Sequence, residues 1–132
     1  MKTILFLDIT DLLPINEETD ADHEVAYLQR QVDLPFPPEK DGWVWFTDNP
    51  GEGEIFDACV ISDTPDVYCP NGKRPFVAAF CRLAFKPDFS FDDIVHRLLV
   101  AGWRKVPEET VGPLAISRGI RQVWHMERDQ ED

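Results

Sequence analysis

Asp8 and Asp11 are the residues whose type and placement come nearest to chemistry in this chain. Asp8 closes the apolar stretch Thr3 to Ile9, and Asp11 follows three residues on. A carboxylate at the carboxyl end of a buried strand is well placed to act as a nucleophile or to hold a metal ion. The other reactive side chains do not gather. His23, His96 and His125 are scattered, and Cys59, Cys69 and Cys81 form no closely spaced pair. No metal-ligand spacing is present, so neither a metal centre nor a cofactor is expected. The three cysteines read as reduced thiols.

The acidic side chains are the other chemical resource. The formal net charge is −12, and it is lopsided. Residues 1–66 hold 16 acidic and 3 basic side chains, whereas residues 67–132 hold 9 and 10. Such a field repels nucleic acid and anionic membrane and steers basic partners. Glu17, Glu18, Asp20, Asp22 and Glu24 fall in one short stretch, and Asp48, Glu52 and Glu54 in another. Both are candidate docking surfaces for a basic protein. Trp43 and Trp45 flank the second stretch. On one face of a strand they read as core, and if exposed they would form an aromatic binding platform.

The stretch around Asp8 resembles the first motif of haloacid-dehalogenase-type phosphatases. There an apolar strand delivers a nucleophilic Asp, with a second Asp two residues on and then Gly-Thr. The resemblance makes Asp8 the nucleophile. It covers about nine residues. Thr10 stands where the second Asp would be, and Asp11-Leu12 where Gly-Thr would be. No later segment supplies the family's phosphate-binding Ser/Thr strand, and the chain is short for a doubly wound fold.

These side chains must be held by regular elements. The clearest run is Pro75 to Lys105. Val77, Ala79, Cys81, Leu83 and Phe85 alternate with Phe76, Ala78, Phe80, Arg82 and Ala84, the period of a central strand. A helix follows. Ser90 caps it with Asp93 three residues on, Phe89 is placed to staple onto Ile94, and Phe91, Ile94, Val95, Leu98 and Leu99 form its apolar stripe. Gly102 ends it in the left-handed region, and Trp103 reaches back to Leu98.

Residues 16–33 read as a second helix, with Ala21, Val25, Leu28 and Val32 as a narrow stripe. Residues 42–48 and 54–62 read as strands of a hairpin around a Pro-Gly loop, the second with Phe56, Ala58 and Val60 as its core face. Val67 to Cys69 can pair with the strand that starts at Phe76 across the Asn71-Gly72 turn. Val106 to Glu109 reads as the start of a short helical turn that Val111-Gly112-Pro113 breaks, residues 114–117 and 120–126 as one or two short strands, and residues 127–132 as a charged, frayed tail.

The order strand, helix, strand, strand, strand, helix, strand predicts a single α+β domain over residues 1–132. The expected plan is a mainly antiparallel sheet of about five strands with two helices on one face, ferredoxin-like with an added hairpin strand. No apolar run approaches the roughly 20 residues of a membrane helix, and the start is too short and too soon acidic for a leader, so the expected compartment is the cytosol.

Three functions follow. The first is a small acidic, non-catalytic binding protein of the inhibitor or immunity type. It would dock on a basic protein surface through Glu17, Glu18, Asp20, Asp22, Glu24, Asp48, Glu52 and Glu54, with Trp43 and Trp45. The second is a metal-dependent hydrolase centred on Asp8 and aided by Asp11. The third is a homodimer or larger homo-oligomer that meets through Trp43, Trp45 or Trp124.

Overall fold

The computed structural model of the chain describes residues 1–9, 27–85, 87–107 and 109–110. Seven strands form one mixed sheet: β1 (Lys2–Asp8), β2 (Tyr27–Asp33), β3 (Trp43–Trp45), β4 (Ala58–Ile61), β5 (Asp66–Tyr68), β6 (Phe76–Leu83) and β7 (Arg104–Lys105). The spatial order is β3-β4-β6-β1-β2-β7. β5 pairs with the first residues of β6, on the edge that β4 also occupies. The central pair, β1 and β6, is parallel, with Thr3 opposite Val77 and Leu7 opposite Cys81. One α-helix is described over its whole length, α1 (Phe91–Ala101), beside a 3-10 turn at Ile55–Asp57.

This corrects the expected plan. The structure is mostly sheet, not a two-helix ferredoxin-like arrangement on a mainly antiparallel sheet. The decisive difference is β2. Residues 27–33, expected as the end of a helix, form a strand paired along its length with β1, Leu28 opposite Leu7 and Val32 opposite Thr3. Leu28 and Val32 share a strand face as readily as a helical stripe, because four residues is a multiple of two as well as nearly one helical turn. The residue between them on that face is Arg30, which hid the alternation. Residues 16–26 of the expected helix lie outside the described residues, as do the expected strands after Val111.

The core lies between α1 and one face of the sheet. Leu5 and Leu7 of β1, Ala79 and Cys81 of β6, Cys59 and Ile61 of β4 and Leu28 of β2 pack with Ile94, Leu98 and Trp103. Burial pushes the Cys81 thiol well above its usual range, with Cys59 and Asp8 adding to the shift, and its Sγ lies 3.6 Å from the Phe6 carbonyl. Cys59 and Cys81 are buried free thiols, and Cys69 is an exposed one.

Helix α1 forms as its sequence predicts. The Ser90 hydroxyl accepts from the Asp93 N–H at 3.3 Å. At the other end Gly102 sits at φ 115, its N–H donating to Leu99 O and the Trp103 N–H to Leu98 O, which completes a Schellman turn. Arg30 reaches this end from β2. Its Nη1 donates to Ala101 O at 2.9 Å, and its guanidinium lies 4.0 Å above the Phe46 ring. A cation here meets the negative end of the helix dipole. Burial lowers the Arg30 pKa, partly opposed by Cys59 and Asp57. Phe89, expected against Ile94, lies against Phe56 and beneath Arg97.

The hairpin β3–β4 forms, but with shorter strands than expected. Residues 55–57 make a 3-10 turn rather than strand. The helix-facing side of β4 is Cys59 and Ile61, not the Ala58 and Val60 side, although all four residues are buried. The chain enters β3 through a tight turn in which Gly42 N–H donates to Glu39 O, with Asp41 at φ 67. Asp41 N–H donates to Ile61 O, and Ile61 N–H to Gly42 O, so two residues face one and the strand bulges. Asp is among the few side chains that tolerate that left-handed position.

Candidate functional site

The tryptophans of β3 are not core. Their partners on β4 are Val60 and Ala58, on the sheet face opposite α1. There the Trp43 and Trp45 rings stack at a centroid distance of 5.7 Å with 17° between their planes. Trp43 keeps 47% of its surface exposed and Trp45 keeps 51%. A side chain facing the core from an edge strand would meet α1, and the intervening residues Val44 and Phe46 take that role.

Phe85 completes the cluster. Its ring meets Trp43 edge-on at 6.0 Å, and it is 61% exposed. Continued alternation along β6 would have buried Phe85 with Leu83, but the strand ends at Leu83 and the chain bends at Ala84 and Phe85. The Lys86-Pro87 pair just beyond was the available signal that the ladder stops there.

The loop from β3 back to β4 seats Trp45. A Cβ built on Gly53 would lie 2.5 Å from Trp45 Cζ3 and 2.7 Å from Cε3. Only a glycine lets the backbone approach the ring this closely. Replacing Gly53 with alanine is therefore expected to push Trp45 off the stack. The near-ultraviolet circular dichroism of the paired indoles should fall, with stability changing by less than about 1 kcal/mol because the ring is half exposed. An unchanged spectrum would show that the ring is not seated against the loop.

The hairpin that carries these rings is acidic, and Glu54 lines one depression with them. Between Glu39 and Asp57 the hairpin carries six acidic side chains and one basic one, Lys40. Asp48 and Glu52 are exposed in the loop, where Glu52 N–H donates to Asn49 O. Glu54 is exposed between two depressions. One, of about 70 Å³, is lined by Trp43, Trp45, Gly53, Ala58 and Phe85, and the other, of about 430 Å³, runs toward α1 past Asp57, Asp93 and His96. Asp57 is held in place, its Oδ2 accepting from the Glu54 N–H at 2.9 Å. Arg82 is a cation on the same sheet face, registered opposite Val60, which in turn faces Trp43.

The structure thus brings Asp48, Glu52 and Glu54 onto one hairpin with Trp43 and Trp45. Glu17, Glu18, Asp20, Asp22 and Glu24 lie outside the described residues, and so do Asp11 and Trp124. Asp8 ends β1 opposite Tyr27 and is half-buried. Among the described residues no group of three or more His, Cys, Asp or Glu side chains could hold a metal ion. None of the described helices is long and apolar enough to cross a membrane. No family model, curated protein or solved structure matches the chain.

Proposed function

We propose that this chain is a non-catalytic binding protein that caps a cationic surface of another protein, in the manner of an inhibitor or immunity protein. The observation that carries the reading is the pair of stacked, half-exposed indoles on a hairpin with six carboxylates and one lysine. An indole face attracts a cation, best of all arginine, and carboxylates beside it pair with the same guanidinium. Exposed aromatic surface of this kind is enriched where proteins meet. The net charge of −12 adds long-range steering, which speeds encounter with a basic partner.

The test is a titration with a blocked, arginine-rich peptide, followed by tryptophan fluorescence. Saturable binding that weakens with added salt is expected, and none to a peptide with glutamate in place of arginine. Two cation–π contacts plus the apolar area of two rings come to about 2 kcal/mol, so Trp43→Ala with Trp45→Ala should weaken binding roughly thirtyfold. Full affinity in that double variant would remove the hairpin from the reading.

A further inference from the structure

The hydrogen bonds of β3 have a direction. Ile61 N–H donates to Gly42 O at 2.9 Å and Phe46 N–H to Asp57 O at 2.7 Å, two residues to either side of Val44, which pairs with Cys59. In an antiparallel pair alternate residues turn their backbone groups to the partner strand. Gly42, Val44 and Phe46 therefore face β4. Trp43 and Trp45 turn N–H and C=O outward, and among the described residues no strand pairs with that edge. β3 is short and a bulge precedes it, but the strand itself contains neither proline nor lysine to block a further strand.

We propose that the outer edge of β3 takes up an extended cationic segment of a partner protein as an added strand. This rests on the binding reading above and specifies how the partner is held. Side chains of an added strand alternate between the two sheet faces, about 4.8 Å from the neighbouring strand. Those on the Trp43–Trp45 face lie beside the indoles, where Glu54 lines the same depression. Those on the other face lie beside Val44 and Phe46, which are apolar and half-buried. The segment that fits alternates arginine or lysine with apolar residues. Charge selects this occupant over a second copy of the chain, because two such edges would bring two sets of six carboxylates together.

Main-chain hydrogen bonds separate strand addition from ring stacking alone. The probe is a blocked nonapeptide of alternating arginine and valine, with two versions N-methylated on every arginine or on every valine. One alternate set of peptide N–H groups faces β3 and the other faces away. The proposal expects one methylated version to bind at least about tenfold more weakly and the other within about twofold of the parent. It also expects exchange of the Trp43 and Trp45 backbone amides to slow about tenfold with parent peptide, and with no other amide edge affected so strongly. If both methylated versions bind as well as the parent and the two amides stay unprotected, strand addition is wrong while the binding reading stands. If the parent peptide neither binds nor shifts the indole signals of Trp43 and Trp45, both fall. If the two amides are protected without peptide in a protein that sediments as a dimer, the edge belongs to a second copy and the proposal is overturned.

Discussion

Replacing Trp103 with alanine is expected to destabilise the fold by about 3–5 kcal/mol, a large share of the 5–15 kcal/mol that holds a domain of this size. The side chain is 2% exposed, in a cluster with Leu98, Ile94 and Leu28. Its ring meets Phe46 edge-on at 5.7 Å, which ties the end of β3 to the end of α1. Truncation opens a cavity beneath the helix terminus. Phenylalanine at the same position separates packing from polarity. Among the described residues Trp103 Nε1 is buried with no hydrogen-bond partner, and an orphaned donor costs about 1–3 kcal/mol. Phenylalanine removes that donor, keeps an aromatic edge for Phe46, and leaves a smaller void. It is expected to cost less than about 1.5 kcal/mol. Urea midpoints of the two variants check both figures. A phenylalanine variant as unstable as the alanine one would mean that Nε1 is satisfied in solution.

The second large effect is at Gly102. Valine there must adopt φ near 115, a region that costs an L-residue about 1–2 kcal/mol. Its Cβ would also sit 3.2 Å from Arg30 Cζ and 3.3 Å from Nη1. The guanidinium must give by a few tenths of an ångström for the Cβ and further for the γ-methyls of valine, which is expected to break its bond to Ala101 O and shift it from its place over Phe46. A charge-assisted bond of this kind contributes about 1.5 kcal/mol, so Gly102→Val should cost about 3 kcal/mol in all. In an Arg30→Ala background the clash is gone, and the same substitution should cost about 1.5 kcal/mol, through backbone strain alone. Equal costs in the two backgrounds, measured by denaturation, would show that Arg30 does not hold the helix end.

The same two residues show what the sequence could and could not reveal. Both ends of α1 were readable because the cap signals are local: Ser90 and Asp93 are one turn apart, and Gly102 and Trp103 close on Leu98 and Leu99. β2 was not. Its core face is Leu28, Arg30, Val32, and an arginine at the middle position makes sense only once a helix terminus lies above it, contributed by residues some seventy positions later. The tryptophans were ambiguous for a related reason. Whether Trp43 and Trp45 face the core depends on which side of the sheet α1 covers, a property of the β6–α1–β7 crossover rather than of β3. Phe85 failed differently, since alternation was carried two residues past the true end of β6. The carboxylates of the hairpin loop, by contrast, were identifiable by composition, because a Pro-Gly loop between two apolar strands must lie at the surface.

The parallel pairing of β1 with β6 is expected to form late on the way to the native state. Every other ladder joins strands closer in the chain or adds at the margin, so β1 with β2, and β3 through β6, can each assemble from near neighbours. They meet along one seam, where Thr3 must find Val77. Ordering a chain segment of that length before any contact rewards it slows the search. During synthesis the apolar residues of β1 leave the ribosome long before β6 and α1 exist, and Leu5 and Leu7 lack the cover of Ile94, Leu98 and Trp103 until then. The passage through that half-built sheet, rather than the finished fold, is where this chain is most exposed to aggregation.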